Sequence, residues 1–303
     1  MANVIALAKK YLPLLDEIYQ RSALTSILDA KPEWVRNSEN ANEVLIPKVT
    51  VDGLADYDKA GGFVAGSANF SWETFQLTQD RGRSFTIDTM DNEETINTAV
   101  GAISGQFMRT EVIPEVDAYR FAVMADLAGT KVDADLTKDT AIQALDAGRE
   151  AMLNASVNLS SVITFVSPKV YTFLKQSSLI VRQLVVNAGN ASINREIETL
   201  DGSPIIVVPQ DRFYDSITLY DGTTGGQTAG GYVKAVGALD INFLLVDTNA
   251  VMGLKKHAKP RLFNPDQNIN ADAFKYDYRL YHDMLVFANK TKGIYLHTEA
   301  SGS

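Results

Sequence analysis

The stretch from Asp91 to Leu127 constrains the fold most, because it reads as one helix longer than a small globular domain needs. Asp91 is placed to cap the first turn, Glu94 follows three residues on, and Glu93 adds negative charge near the positive end of the helix dipole. Ile96, Val100, Ile103 and Phe107 recur at helical spacing, and Tyr119, Ala122 and Val123 resume the pattern. Pro114 falls inside it. A proline removes one backbone hydrogen bond, so the expectation is a bend of one register and not an end. Unbroken, roughly 35 residues at about 1.5 Å each span about 50 Å, more than the diameter expected of a domain of about 100 residues. The alternative is two ordinary helices meeting at Pro114.

The stretch before it is also extended. In 44–86, Val49 and Val51 alternate with polar residues, as do Phe70 and Trp72, while Phe75 and Leu77 lie on the opposite face. Phe85 and Ile87 continue as a further strand. Tyr57 to Phe63 (YDKAGGF) makes a turn-like tip. This is an extended hairpin, with about twelve residues per strand at about 3.3 Å reaching roughly 40 Å. A hairpin standing alone is marginal in water, so its aromatics need a surface that a neighbouring subunit could supply. The alternative is a meander folded back on its own core. Ahead of it, 2–28 reads as an N-terminal arm of short helices with Ile5, Leu12, Leu15 and Ile18 on an apolar face, and 32–42 reads as a loop.

After the long helix, 129–135 reads as a loop and 137–155 as an amphipathic helix with Ile142, Leu145, Met152 and Leu153 inward. Strands are expected at 162–166, 205–208 and 217–220, with a helix opened by Ser167 and Pro168. Residues 187–192 and 222–231 read as loops. From Ile241 onward, 243–246, 261–263, 276–287 and 293–297 read as strands returning to the long helix, with a turn at 290–293. The compact α/β unit between them is then an insertion into another domain.

The chain has 303 residues, 46% of them hydrophobic, and a net charge of −9, so it has a real core and is repelled by nucleic acid overall. It has no cysteine, which removes disulfides, thiolate metal sites and cysteine nucleophiles. No secretory signal and no run of membrane-spanning length is present. Motifs of catalysis are missing. The glycine-rich 222–231 matches neither phosphate-cradle pattern, His257, His282 and His297 show no ligand spacing, and no GxSxG elbow exists. Asp266, Asn268, Asn270 and Asp277 follow part of a calcium-loop spacing, but Ala271 replaces the turn glycine, and a polar loop is the better reading. We therefore expect no catalytic residue, no cofactor and no metal site. Lys255, Lys256, His257, Lys259 and Arg261 form a basic cluster that reads as a solvated loop. Arg81 and Arg83 beside Asp80 are candidates for ion pairs within or between subunits.

Five segments carry a family resemblance: VDGLADYDKAGGFV at 51–64, TQDRGRSFTIDTMDNEET at 78–95, RTEVIPEVDAYRF at 109–121, DGSPIIVVPQDRF at 201–213 and RLYHDMLVFANKTKGIY at 279–295. In this order they resemble the major capsid proteins of tailed phages, nearest to coat proteins of phages of Gram-positive bacteria. The resemblance implies an α+β architecture, the Hong Kong 97-type capsid fold. Its parts would be an N-terminal arm (1–43), an extended β-hairpin or E-loop (44–86), a P-domain (87–130 and 240–303, with the spine helix at 91–127), and an inserted A-domain (131–239).

It further implies a non-enzymatic subunit that forms pentamers and hexamers of an icosahedral shell around double-stranded DNA, in a virion assembled in the host bacterial cytoplasm. The implied partners are a separate scaffolding protein, a portal at one vertex, a decoration protein, and packaged DNA held without tight specific binding. No membrane is involved. Tyr57, Lys59, Phe63, Phe70, Trp72, Arg81 and Arg83 are the candidate inter-subunit contacts. Some members crosslink a hairpin lysine to an asparagine, and Lys59 is the lysine at the tip here. The rival with the same fold is an encapsulin-like nanocompartment shell. The rivals from other classes are a hydrolase on an unusual α+β scaffold and an architectural DNA-binding protein.

Overall fold

The computed structural model describes residues 23–29, 36–37, 43–59, 61–89, 99–177, 186–187, 190–191, 197–268 and 271–302. The expected cap at Asp91 with Glu93, Glu94 and Ile96, most of the arm and of the 32–42 loop, and Asn270 lie outside these residues.

A leading 3₁₀ turn (Leu24–Leu28) precedes strands β1 (Arg36–Asn37), β2 (Glu43–Val51), β3 (Ala68–Gln76) and β4 (Gln79–Asp88). Helix α1 then covers 99–126. It consists of a nine-residue α segment (Ala99–Phe107), five residues of π-helix (Met108–Val112) and fourteen more α-helical residues (Ile113–Asp126). At about 1.5 Å per residue this is roughly 40 Å long. The π turn explains how Pro114 is tolerated. Proline has no N–H to give to the carbonyl four residues back, and its ring crowds that carbonyl. Widening the turn just before it, with Ile113 N–H reaching Met108 O, inserts the extra residue without ending the helix. The helix thus continues past Pro114 through one widened turn.

Downstream come β5 (Thr130–Asp133), α2 (Ala141–Asn154), β6 (Val162–Val166), α3 (Pro168–Gln176), β7 (Val186–Asn187), β8 (Asn190–Ala191), β9 (Thr199–Leu200), β10 (Ser203–Val207), β11 (Ile217–Leu219) and β12 (Tyr232–Lys234). The C-terminal part adds β13 (Ile241–Asp247), β14 (Val251–Phe263), β15 (Ala273–Val286) and β16 (Ile294–Thr298). Ser167 caps α3 by accepting from Val170 N–H at 3.3 Å, with Pro168 at its first turn.

The six-stranded sheet runs β5-β16-β13-β6-β10-β9. Strands β6, β13 and β16 are buried along their whole length, as expected of strands covered on both faces. Ile163, Phe165, Leu244, Val246, Ile294 and Leu296 face the C-terminal half of α1, where Phe121 and Met124 are fully buried. Val162, Val166, Phe243, Leu245 and Tyr295 face α2 and α3 through Leu145, Met152, Val170 and Leu174. A second sheet, β14-β15-β4, packs Tyr276, Tyr278 and Leu280 against Met108, Val112, Ile113 and Val116 of α1. The long helix therefore serves two cores, one for each half of its length.

Several expectations are corrected. Residues 130–133 are a strand, not a loop, because they pair parallel to β16 from Tyr295↔Thr130 to Thr298↔Asp133. The basic run 255–261 lies on β14, antiparallel to β15, with a register shift between Lys255 and His257. Lys255 there pairs with Asp29 at 2.6 Å, and Lys256 donates to the Glu43 carbonyl at 2.7 Å. Leu153 is 56% exposed, not inward. The hairpin strands have nine residues each, and 79–88 leaves the hairpin to pair with β15. Strands β13 and β16 lie in one sheet with β6 and β10, and β13 pairs directly with β6. Asp277 of the calcium-like spacing sits within β15, accepting from Ser84 Oγ at 2.5 Å.

Candidate functional site: an exposed hairpin and its anchor

The pairing of β2 with β3 sets Pro47 opposite Trp72, Val49 opposite Phe70 and Val51 opposite Ala68. Directly opposed residues share a face of the ribbon. From Pro47 outward one face is therefore apolar, yet Val49 is 61%, Val51 71% and Phe70 59% exposed. The other face begins with Val44 and Ile46, buried on the chain's own body, where Val44 meets Leu77, Met252 and Leu254. It then turns polar outward, with Lys48 paired to Glu73 at 3.1 Å. Period-two patterning has thus placed the apolar side away from the chain's own core, the reverse of what a self-contained sheet requires.

The tip spans 52–67. It is closed at its base by Asp52 N–H to Ser67 O at 3.0 Å and Ser67 N–H to Asp52 Oδ2 at 2.6 Å. A small turn joins Asp58 and Gly62, and Gly62 has φ +81°, a left-handed conformation that favours glycine. Tyr57 and Phe63 sit with ring centroids 4.9 Å apart, and Lys59 is exposed in the same turn. Phe63 and Leu54 are almost fully exposed. The tip residues Tyr57, Lys59 and Phe63 and the face residues Phe70 and Trp72 therefore share one protruding element. Val49, Val51 and Leu54 belong with them. The Val49/Val51 alternation marks the strand in the sequence but does not say that its face points outward.

Arg81 and Arg83 make contacts within the chain. Arg81 forks onto Glu115 of α1, Nε to Oε1 at 2.7 Å and Nη2 to Oε2 at 3.0 Å, and donates from Nη1 to Tyr220 O at 2.7 Å and from Nη2 to Gly231 O at 3.3 Å. Hydrogen bonding to Glu115 raises its pKa still further. Arg83 donates to Thr228 O at 3.1 Å. Both guanidinium groups make their contacts inside the chain and hold the 220–231 loop against the hairpin's exit strand. Just before them, Thr78 gives its N–H and hydroxyl to Asp283 Oδ2 at 2.8 and 2.9 Å, and Tyr119 donates to Asp283 Oδ1 at 2.8 Å. Burial pushes the Tyr119 phenol up to about 12, so it stays a donor. The hairpin thus projects from a root fixed to β15 and α1.

The N-terminal residues are clamped on the other side of α1. Asp117, fully buried, accepts from Leu24 N–H and Thr25 N–H at 3.1 Å each and from Thr25 Oγ1 at 2.6 Å. Arg120, one turn on and also fully buried, pairs with Asp29 at 2.7 Å. A side chain at Gly253 would come within 2.8 Å of the Arg120 guanidinium, so only glycine allows this approach.

Among the described residues no group of His, Asp or Glu is arranged to hold a metal, and no helix is long and apolar enough to cross a membrane.

No protein-family model and no curated protein matches the chain. Solved structures do. A Gordonia phage Cozz structure has a TM-score of 0.59 at 15% identity, covering 93% of this chain and 87% of that one. The capsid of cyanophage P-SCSP1u has a TM-score of 0.56 at 13% identity, covering 88% and 86%. A virus-like particle from Pyrococcus furiosus has a TM-score of 0.51 at 10% identity, covering 93% and 95%. The chain therefore has the fold of capsid shell proteins. It is the α+β Hong Kong 97-type fold found in the coat proteins of phages.

Proposed function

We propose that this chain is the major capsid protein of a tailed phage, a structural subunit that assembles through pentamers and hexamers into an icosahedral shell around double-stranded DNA. The observation that carries the reading is the outward apolar face of the hairpin, Val49, Val51, Phe70 and Trp72, on a fold shared with capsid structures. Burying each such side chain against a neighbour is worth roughly 1.5–3 kcal/mol at full burial, and a closed shell repeats that contact at every subunit. The net charge of −9 fits a wall that encloses DNA without gripping it.

Assembly would take place in the host cytoplasm with a separate scaffolding protein, a portal at one vertex and a decoration protein outside. The second reading is a nanocompartment shell, favoured by the likeness to the Pyrococcus furiosus particle.

Negative-stain electron microscopy of the purified chain, alone and with its scaffolding protein, tests the proposal. Closed polyhedral shells or five- and six-membered rings support it, and a monodisperse monomer in both preparations contradicts it. Shells purified from an infected host that contain DNA separate the phage reading from the nanocompartment.

A further inference from the structure

Four long strands, β2, β3, β4 and β14, have an outer edge that no other strand of the described residues covers along its whole length. An edge of this kind is a template for pairing with another chain unless prolines or charges blunt it. Three of the four are blunted. Strand β14 carries Lys255, Lys256, Lys259, Pro260 and Arg261, β4 carries Asp80, Arg81, Arg83 and Asp88, and β2 carries Pro47 and Lys48. Strand β3 (ANFSWETFQ) has no proline and no basic residue. Its one charge, Glu73, is held by Lys48 at 3.1 Å.

The β2–β3 register decides which groups β3 turns outward. Asp52 N–H donates to Ser67 O at 3.0 Å in continuation of that register. The hydrogen-bonded pairs are therefore Thr50 with Asn69, Lys48 with Ser71, Ile46 with Glu73 and Val44 with Phe75. Pro47, which has no N–H, accordingly falls on a non-bonded pair, with Trp72. The alternate residues Ala68, Phe70, Trp72, Thr74 and Gln76 thus direct their N–H and C=O away from β2.

We propose, on the reading of this chain as a shell subunit, that β3 pairs antiparallel with β3 of a second copy about a twofold axis at Trp72. This register overlaps all nine residues of the strand. Phe70 then faces Thr74 of the second copy, Ala68 faces Gln76, and about ten backbone hydrogen bonds form. Glu73 comes opposite Ser71, so no charge meets a like charge directly. Opposed residues share a face, so Phe70 and Trp72 of both copies join Pro47, Val49 and Val51 in one apolar surface. A slip of one residue would turn the two apolar faces to opposite sides. A twofold contact does not close a five- or six-membered ring, so this one joins subunits of adjoining rings. A short ladder is marginal by itself in water, so the pairing forms during assembly and not in the dilute subunit.

Ser71 and Glu73 of the second copy would form a non-hydrogen-bonded pair across the axis, with Cα atoms about 4.5 Å apart, within reach of a disulfide. The chain has no cysteine of its own. Ser71→Cys and Glu73→Cys chains, each alone and the two mixed, are brought to assembly conditions and oxidised with oxidised glutathione. The mixture should give disulfide-linked dimers joined 71 to 73, about tenfold more than either chain alone. Thr74→Pro in both chains removes an outward N–H and spares every bond to β2, so circular dichroism should be unchanged and the dimers lost. Dimers in the mixture without shells would uphold the pairing and count against the shell reading. No dimers, with or without shells, would overturn the pairing. Equal yields from all three preparations, or full yield in folded Thr74→Pro chains, would overturn the register and the ladder.

Discussion

Arg81 presents Nε and Nη2 to the two carboxylate oxygens of Glu115 at 2.7 and 3.0 Å, and the same guanidinium reaches the carbonyls of Tyr220 and Gly231. One side chain thus joins the strand leaving the hairpin, the long helix and a loop more than a hundred residues away in sequence. Arg81→Met should lower stability by about 1–3 kcal/mol, because it removes a charge-assisted fork and leaves two carbonyls without this donor. Urea unfolding measures the loss. Hydrogen exchange should rise in 220–231 and stay unchanged in β6 and β13. An unaltered unfolding midpoint would show that the fork holds nothing.

The exposed cross-strand pair Val49 and Phe70 gives the opposite expectation. Replacing both by serine should cost the isolated subunit less than about 1 kcal/mol, since the pair contributes only at the cross-strand scale. Assembly should be lost or severely reduced. A large drop in the unfolding midpoint would mean that this face packs on the chain's own core.

His282 supplies a pH dependence. It is 2% exposed, packs edge-to-face on Tyr119, and is held down to a pKa of about 3 by burial first and by Arg120, Lys255 and Arg81 second. In the unfolded chain it titrates near ~6.5. As pH falls below that value the unfolded state takes up the proton and the folded state does not, so this contribution is complete at neutral pH and shrinks on acidification. Between pH 7 and 5 it should cost about 2 kcal/mol. Urea unfolding at both pH values should show that slope in the native protein and its loss in His282→Gln. Equal slopes would refute the assignment.

Much of this architecture is legible in the sequence, for reasons that differ between elements. The long helix is legible because its apolar spacing persists across Pro114, and the hairpin because Val49, Val51, Phe70 and Trp72 alternate. Strand β5 is not, since four residues around Lys131 and Asp133 acquire strand geometry only by pairing with β16, more than 160 residues on. The partners of Arg81 are hidden for the same reason. Tyr220 and Gly231 lie 139 and 150 residues away, and a backbone carbonyl leaves no signature in residue type. The basic run on β14 misleads because Lys255 and Lys256 are taken up within the chain, by Asp29 and the Glu43 carbonyl, which precede them by more than 200 residues.

The Asp117 clamp should be costly to remove. Asp117→Ala deprives two N–H groups and one hydroxyl of their acceptor and takes the carboxylate away from Arg212, whose Nη1 lies 3.4 Å from it, with an expected loss of about 3–5 kcal/mol. Limited proteolysis should then cut near 23–29 in the variant and not in the native chain. Resistance to cleavage there would show that the turn is held by other contacts.

Sedimentation velocity of the native chain beside a variant in which two glycines replace 53–66, keeping the Asp52–Ser67 closure, tests the central claim most directly. The account predicts shells or rings from the native chain, and from the variant a folded monomer with unchanged circular dichroism. If the shortened chain still assembled, or lost its fold, the tip of the hairpin would not be what joins the subunits.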